Sequence, residues 1–528
     1  MPDIGPQSSW WELISLRASL TPERVMALDE RGRSLTFAGL ATDAERVAAA
    51  LSVRGIGPGA VVSWQLPTIL ESLVLSAALS RLGAVQNPIL PILRDSEVDH
   101  IIGQVGAGLL VTPAVWRGFD YAAMGQRIAA RHGVETLVVD HTEAGPGDLM
   151  LPMADSEVLG PPKEPERDEV RWVYYSSGTT AAPKGARHSD ASVMAGSNAM
   201  VELVGMREDD VFPMAYPVTH IGGHTSVTAQ LRVGCRLLLI EIFDPLRSSA
   251  FMAHQGATIL GSAPPFFHAY LAAQRQHGEP RLFANLRMGM SGGAPSPAEL
   301  HFEVKRELGG AGIVSGWGLT EFPIATEASP DDPDEVLANT VGRAARGVTI
   351  RVVGPDGSDQ PAGVEGELRV HGPQMCLGYV DASLDRDAFD EHGFFVTGDL
   401  GVLDPAGNLR ITGRIKDIII RNAENISAVA VEDVLYRHPD IADVAVVGIP
   451  DPRTGERCCA AIVMATDASP LTLDAVAEHC RAEGLAPQRI PERIDIVEAL
   501  PRNAMGKLLK QEIRALVIEL AQAGTAKG

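Results

Sequence analysis

Several things are scarce in this sequence, and each scarcity narrows what the protein can be. There are only five cysteines, Cys235, Cys376, Cys458, Cys459 and Cys480. The number is odd, no CxxC pair occurs, and no histidine stands at metal-ligand spacing from any of them. A disulfide framework and a structural zinc site are both disfavoured, and a reducing cytoplasm is the expected compartment. Positive charge is scarce too: 45 Lys and Arg face 67 Asp and Glu, for a net charge of -22. Nucleic acid is therefore not expected as a partner, because a phosphate backbone needs basic faces. Single nucleotides stay open, since they need only a few local cations and amides. No run of about 18 apolar residues occurs, so neither a transmembrane helix nor stable membrane insertion is expected. The most apolar stretch, residues 66–85, is interrupted by Glu71 and Arg81 and reads as an amphipathic core helix. The opening MPDIGPQSSWWELISL lacks a basic start followed by an apolar run, so no signal peptide is expected. No internal repeat stands out.

What is present is an ordinary globular composition, 45% hydrophobic and 21% charged, in a chain of 528 residues. That length exceeds one ordinary core, so at least two domains are expected. Residues 37–53 have helical apolar spacing and are stopped by the glycines of 55–59. Strand-like and helix-like runs then alternate through 60–65, 68–82, 84–90, 95–105, 108–112 and 136–140. Such alternation predicts parallel strands with crossover helices, an α/β architecture. Residues 146–168 are rich in Pro, Asp and Glu and read as an exposed linker, and 191–203 read as one helix. From Val341 short β segments take over (349–353, 366–371, 394–396, 401–403, 408–412), forming a small β-rich subdomain. The last part mixes helices (428–437, 473–483, 510–521) with strands (444–447, 460–464, 493–497). It reads as a compact α+β unit of about 110 residues.

The stretch around which the rest is arranged is 174–187, YYSSGTTAAPKGAR. Tyr175, Ser176, Ser177, Thr179 and Thr180 crowd Gly178, and Lys184 closes the loop. Backbone N–H groups, hydroxyls and one cation in a single loop suit phosphate. It is not a Walker A loop, which needs Gly directly before the Lys and Ser or Thr after it; Pro183 and Gly185 stand there instead. Residues 171–175 read as a buried strand, so the loop leaves a strand end, where ligands sit in α/β sheets. Alone, the same composition also makes a polar surface turn. Further on, PMAYPVTHIGGH sets His220 beside Gly222 and Gly223. That lets a backbone approach a ligand closely, or makes His220 a helix cap. TILGSAPPFF and MGMSGGAPSP read as strands ending in small-residue turns. WGLTE brings Trp317, Thr320 and Glu321 into one turn, suited to stack on a base, hold a phosphate and hold Mg²⁺. A turn merely packed by Trp317 is the other reading.

Taken in order, SSGTTAAPKG, YPVTHIGG, SGGAP, WGLTE, TGD, GRIKD, ENIS with Glu432, and a C-terminal GK resemble the adenylate-forming superfamily. That superfamily holds acyl-CoA synthetases, peptide-synthetase adenylation domains and firefly-type luciferases. The match runs over nearly the whole chain. The resemblance implies a large N-terminal adenylation domain (1–413), a hinge (414–417) and a smaller mobile C-terminal domain (418–528). It implies conversion of a carboxylic acid and ATP to acyl-adenylate and pyrophosphate, then attack by a thiol, usually that of CoA, with release of AMP. A carboxylate is already ionised at neutral pH, so the first step needs no base. It needs two anions held in line and charge neutralised at the α-phosphate. By similarity, Ser176, Ser177, Gly178, Thr179, Thr180 and Lys184 would cradle the β- and γ-phosphates. Thr320 would contact the α-phosphate and Glu321 would hold Mg²⁺. Gly292, Gly293 and Ala294 would form one wall of the adenine slot and Trp317 the other, where relatives mostly carry Tyr. Asp399 would accept from the ribose hydroxyls, with Arg414 nearby, and His220 would join the catalytic set. Lys507 would bridge the acyl carboxylate and the α-phosphate in the first step, then withdraw as the small domain swings about Lys416. The ENIS loop, 421–427, with Arg421 and Ala423, would then line the thiol tunnel. Ala181 and the pair Asn422 and Ala423 replace glycines usual in relatives, so either half-reaction could be impaired.

The resemblance puts the acyl pocket at 216–223, 261–267 and 317–324, with Tyr216, Gly222, Gly223, Gly261 and Phe266 in its lining. It is apolar, and no Asp stands after the AYPVTHIGG turn where an amino-acid-activating domain would hold an ammonium. A medium-chain, alicyclic or polycyclic acid is therefore expected, the texture being closest to bacterial fatty-acyl or cyclohexanecarboxylate-type CoA ligases. Loading of a carrier protein in place of CoA stays an alternative, as does a ligase running mainly the thiol step. From another class, a silent nucleotide- or acyl-binding sensor is the rival. A homodimer is the family-based expectation.

Overall fold

The computed structural model describes the chain except residues 1, 2, 6, 146, 147, 167, 177–182, 295, 422, 423, 452, 467, 469, 470, 504, 505 and 526–528, and gives only the backbone of 523–525. The helix Phe37–Val53 forms as its spacing predicts. Thr36 caps it by accepting from the Gly39 N–H, and Phe37, Leu40, Ala44, Val47 and Leu51 share its buried face. That face packs on Leu70–Leu82, which is shorter than expected and buried on nearly every side rather than amphipathic. Glu71 is tolerated there because Arg33 meets it at 2.7 Å and also holds Asp29 at 2.8 Å.

Behind these helices lies a six-stranded sheet in the order Lys184–His188, Trp172–Ser176, Val85–Pro88, Val61–Trp64, Leu109–Pro113, Glu135–Val139. All neighbours run parallel except the first pair, which is a hairpin with Lys184 opposite Ser176. A second, four-stranded sheet (Val211–Met214, Arg236–Leu239, Val25–Asp29, Ser34–Thr36) was not expected from the sequence. A third runs Ile259–Ser262, Met288–Ser291, Ile313–Trp317 in parallel, then Thr326–Glu327 and Arg343–Ala344 antiparallel. The predicted helix at 191–203 is two short helices, Asp190–Ala195 and Ser197–Glu202. The PPFF segment does not make a turn. It opens the helix Pro264–His277, where Pro264 supplies the first position and no N–H is missed.

The β-rich subdomain is a four-stranded antiparallel sheet: Thr349–Val353, Gly366–His371, Phe395–Leu403 and Leu409–Arg414. The third strand absorbs two segments expected to be separate. Gly398 at φ 69 and a register shift after Leu400 bend it without ending it. The C-terminal unit pairs the long strands Ile441–Asp451 and Gly455–Met464, with Arg493–Ile496 beside them. Val444 and Val446 face one core with the helix Ala428–Leu435, and Ala445, Val447 and Ile449 face another with Lys510–Thr525. Burial on both faces explains the unbroken apolar run there. The ENIS segment is the second strand of a hairpin, Ile418–Arg421 with Glu424–Ser427, and not a loop. All five cysteines are buried and free. Among the described residues no helix is long and apolar enough to cross a membrane.

Candidate active site

The nucleotide side is built at strand ends. Ser176 closes its strand and Lys184 opens the returning one; Ser177, Gly178, Thr179, Thr180 and Ala181 lie outside the described residues. The Lys184 ammonium stands 5.7 Å from the centre of the Tyr379 ring, and the Tyr379 hydroxyl donates to Glu321 Oε1 at 2.6 Å. Glu321 is 8% exposed, so one tyrosine links the loop lysine to a buried carboxylate. Thr320 is fastened from below: its carbonyl lies 2.9 Å from His188 Nε2, whose Nδ1 lies 3.0 Å from Ser192 Oγ. Burial pulls His188 down to about 4, so it is neutral, and the proton on Nε2 is donated to Thr320. The same turn contains Ile324 at φ 48, a left-handed conformation rare for a β-branched residue.

Trp317 and Asp399 meet directly. The indole Nε1–H donates to Asp399 Oδ2 at 2.9 Å, and Arg414 Nε stands 2.7 Å from Oδ1. Asp399 is 2% exposed, and Oδ1 has the ion pair but no aligned hydrogen bond, which leaves a buried acceptor facing the site. Gly292 donates its N–H to Ser262 O at 3.0 Å, Gly293 adopts φ 78, and Gly292 and Ala294 are half-buried beside it.

The C-terminal unit reaches into this cluster. Gly506 packs so close to the other domain that a Cβ on it would lie 3.3 Å from that of Ala263. Its neighbour Lys507 is fixed by an N–H bond to Asn503 Oδ1 at 2.9 Å. Burial and then Arg414 and Lys416 hold the Lys507 ammonium down to about 8, with Asp399 and Asp417 opposing. Lys416 is lowered by burial, by Arg414 and by Lys184. Arg414 and Lys416 thus bear on Lys507 beside Asp399, and Lys184 bears on Lys416. His220 is drawn down to about 4 by burial and by Lys507.

His220 caps the helix Ile221–Val233, its Nδ1 accepting from the Gly222 N–H at 3.0 Å. The helix-cap reading of the sequence is therefore met, and the cap puts the imidazole proton on Nε2. Tyr216 lies over Gly261, 3.8 Å from where a Cβ would be, with its hydroxyl 2.6 Å from Ser226 Oγ. Of the other expected pocket residues, one is closed off and one packs on a second ring. Gly223 leaves no room for a substrate, since a Cβ there would stand 2.4 Å from the Pro217 carbonyl. Phe266 packs edge-on against Phe243 at 4.9 Å. Arg421, expected in the thiol tunnel, is held by both oxygens of Glu492, at 2.8 and 3.0 Å. Ala423 lies outside the described residues. The sequence reading missed His188, Tyr379 and Glu327. The first two carry no local pattern, whereas Glu327 was detectable as a lone carboxylate among small apolar residues.

A large α/β body and a smaller α+β unit that share one cation cluster define an adenylate-forming enzyme. The model of the AMP-binding enzyme family matches residues 15–380, and that of the AMP-binding enzyme C-terminal domain matches 430–507. The chain belongs to this family and is a ligase. It is 32% identical over 505 residues to a medium-chain fatty-acid–CoA ligase of Escherichia coli, covering 94% of this chain and 88% of that one. It is also 32% identical over 528 residues to a salicyl-AMP ligase / salicyl-S-ArCP synthetase of Mycobacterium tuberculosis, covering 97% and 90%. Among solved structures, ATP-bound MatB from Rhodopseudomonas palustris superposes with a TM-score of 0.85 at 26% identity, covering 96% and 98%.

Proposed function

We propose that the protein activates a hydrophobic carboxylic acid with ATP to an acyl-adenylate and then transfers the acyl group to CoA. The observation that carries this reading is Lys507 of the C-terminal unit held among Arg414, Lys416 and Asp399. A half-buried cluster of cations in a protein of net charge -22 asks for a polyanion. Lys507 bridges the substrate carboxylate and the α-phosphate as they approach, offsetting their repulsion where charge builds up. His220, neutral and protonated on Nε2, donates to an oxygen of the same pair rather than acting as a base. Asp399 Oδ1 accepts from the ribose, and Trp317 with Gly292, Gly293 and Ala294 encloses the adenine. Ser176, Lys184 and the loop between them hold the outer phosphates, with Thr320 at the α-phosphate.

The residues also fit Mg²⁺. Glu321 spends one oxygen on Tyr379 and keeps Oε2, and this ion binds through one or two carboxylates plus substrate phosphates. Bound there, it would neutralise phosphate charge. In the second step the segment 414–417 serves as the hinge between residues 1–413 and 418–528, withdrawing Lys507 and bringing the 418–427 hairpin, with Arg421 and Ala423, toward the thiol. The test is turnover: a matching acid with ATP and Mg²⁺ releases pyrophosphate, and CoA then yields the thioester with AMP. Transfer to a carrier-protein thiol but not to CoA would reassign the second step, and nucleotide binding with no acid-dependent pyrophosphate would refute the reading.

A further inference from the structure

Glu327 has no task in that reaction, yet it occupies a place that carboxyls avoid. It is 3% exposed, and no donor or cation among the described residues meets its Oε1. Burial alone pushes its carboxyl well above the usual range, which favours the neutral form. Register sets its position: Glu327 pairs with Gly316 across the antiparallel strands. Its carboxyl lies over the Gly316 Cα, where a Cβ would stand 2.3 Å from Oε2. Any side chain at 316 would evict it.

Side chains alternate along a strand, and Gly261, Met290 and Val314 stand level in adjacent strands. Gly261, Gly316 and Glu327 therefore share one face, the face that Tyr216 covers. Tyr216 cannot satisfy Glu327. Ser226 gives its one proton to the Gly222 carbonyl at 2.9 Å, so the Tyr216 proton goes to Ser226. Glu327 lies near enough to that hydroxyl to raise it once ionised. Gly261 thus leaves the face beneath Tyr216 without a side chain, and the Glu327 carboxyl, seated over Gly316, lies on that same face. Buried polar groups are hydrogen-bonded as a rule, and this one has no partner at Oε1 among the described residues.

We propose that Glu327 selects the substrate: it reads a neutral hydroxyl or carbonyl carried on the acyl chain of the acid being activated. The inference rests on the ligase reading above. A neutral group is favoured over an ammonium because Met290, Val314 and Ile324 make the surroundings apolar, and an ion pair would have to be desolvated on both sides.

Octanoate is compared with its monohydroxy, mono-oxo and monoamino derivatives from carbon 3 outward, in pyrophosphate release with ATP and Mg²⁺. At one chain position the hydroxy or oxo acid is expected to exceed octanoate in kcat/KM by about tenfold, the worth of one neutral hydrogen bond. Glu327→Gln keeps most of that ratio and Glu327→Leu removes it. The proposal is overturned if octanoate equals or exceeds every derivative, if the preference survives Glu327→Leu, or if an amino acid is the best substrate. Should no acid release pyrophosphate, the ligase reading fails separately, and the same acids are ranked by thermal shift. Polar derivatives must then raise Tm more than octanoate does, and more in the wild type than in Glu327→Leu; equal shifts overturn the proposal.

Discussion

Asp399 is the residue on which the nucleotide site turns, and its setting departs from the expected one. Trp317 was expected to stack; it also donates to the carboxylate that would hold the ribose. Trp317→Phe keeps the aromatic face and removes that bond to a charged acceptor. Loss of such a bond predicts a rise in ATP KM of about tenfold, read by pyrophosphate release; an unchanged KM would mean that Arg414 orients Asp399 alone. Lys507 sets a pH limit. Its folded value, about 8, lies below the ordinary lysine value, so it is charged below pH 8 and neutral above. In the proposed reaction adenylation needs that charge, so kcat/KM for ATP, which reports the free enzyme, is expected to fall as pH rises through about 8. His220 at about 4 is neutral throughout and adds no limb near neutrality. The candidate residues could be picked out in the sequence because each sits in a short signature of glycines, hydroxyls and charge. Their fasteners were not: His188 grips Thr320 across 132 positions and Tyr379 grips Glu321 across 58, distances that leave no local pattern.

Elements were legible where one face is buried and the other wet. The helices Phe37–Val53 and Asp95–Val105 and the strands Thr349–Val353 and Gly366–His371 fall on the expected residues. Strands such as Val25–Asp29 and Arg236–Leu239 were missed, being short and largely buried, with no alternation to betray them. The helix start after His220 shows how an element serves the site. Gly222 and Gly223 look alike in sequence but do different work. Gly222 offers its N–H to His220, and a Cβ there would meet only the imidazole, at 3.2 Å. A Cβ on Gly223 would overlap the Pro217 carbonyl at 2.4 Å. Gly223→Ala is therefore expected to lower stability by about 1–3 kcal/mol through forced backbone movement, seen as a lower Tm, with Gly222→Ala the milder of the two. Equal melting temperatures would show that the 217–223 turn yields freely.

At the scale of the molecule, the surplus of acid contrasts with a local knot of Lys184, Arg414, Lys416 and Lys507. The knot is assembled from both domains: Lys184 belongs to the large one and Lys507 to the small one, joined through the segment around Lys416. More than one domain was legible from length, and the smaller one from the α+β texture of its last stretch of about 110 residues; their contact at Gly506 and Ala263 was not, because it depends on absent side chains rather than present ones. In the proposed reaction Lys507 serves the adenylation step alone. The measurement that tests it most directly sets wild type against Lys507→Ala in two assays: pyrophosphate release from acid and ATP, and thioester formation from a supplied acyl-adenylate and CoA. The variant is expected to lose the first by at least about a hundredfold, the scale of removing one preorganised charge or donor, and to keep the second. Equal losses in both, or an adenylation rate that survives the substitution, would contradict it.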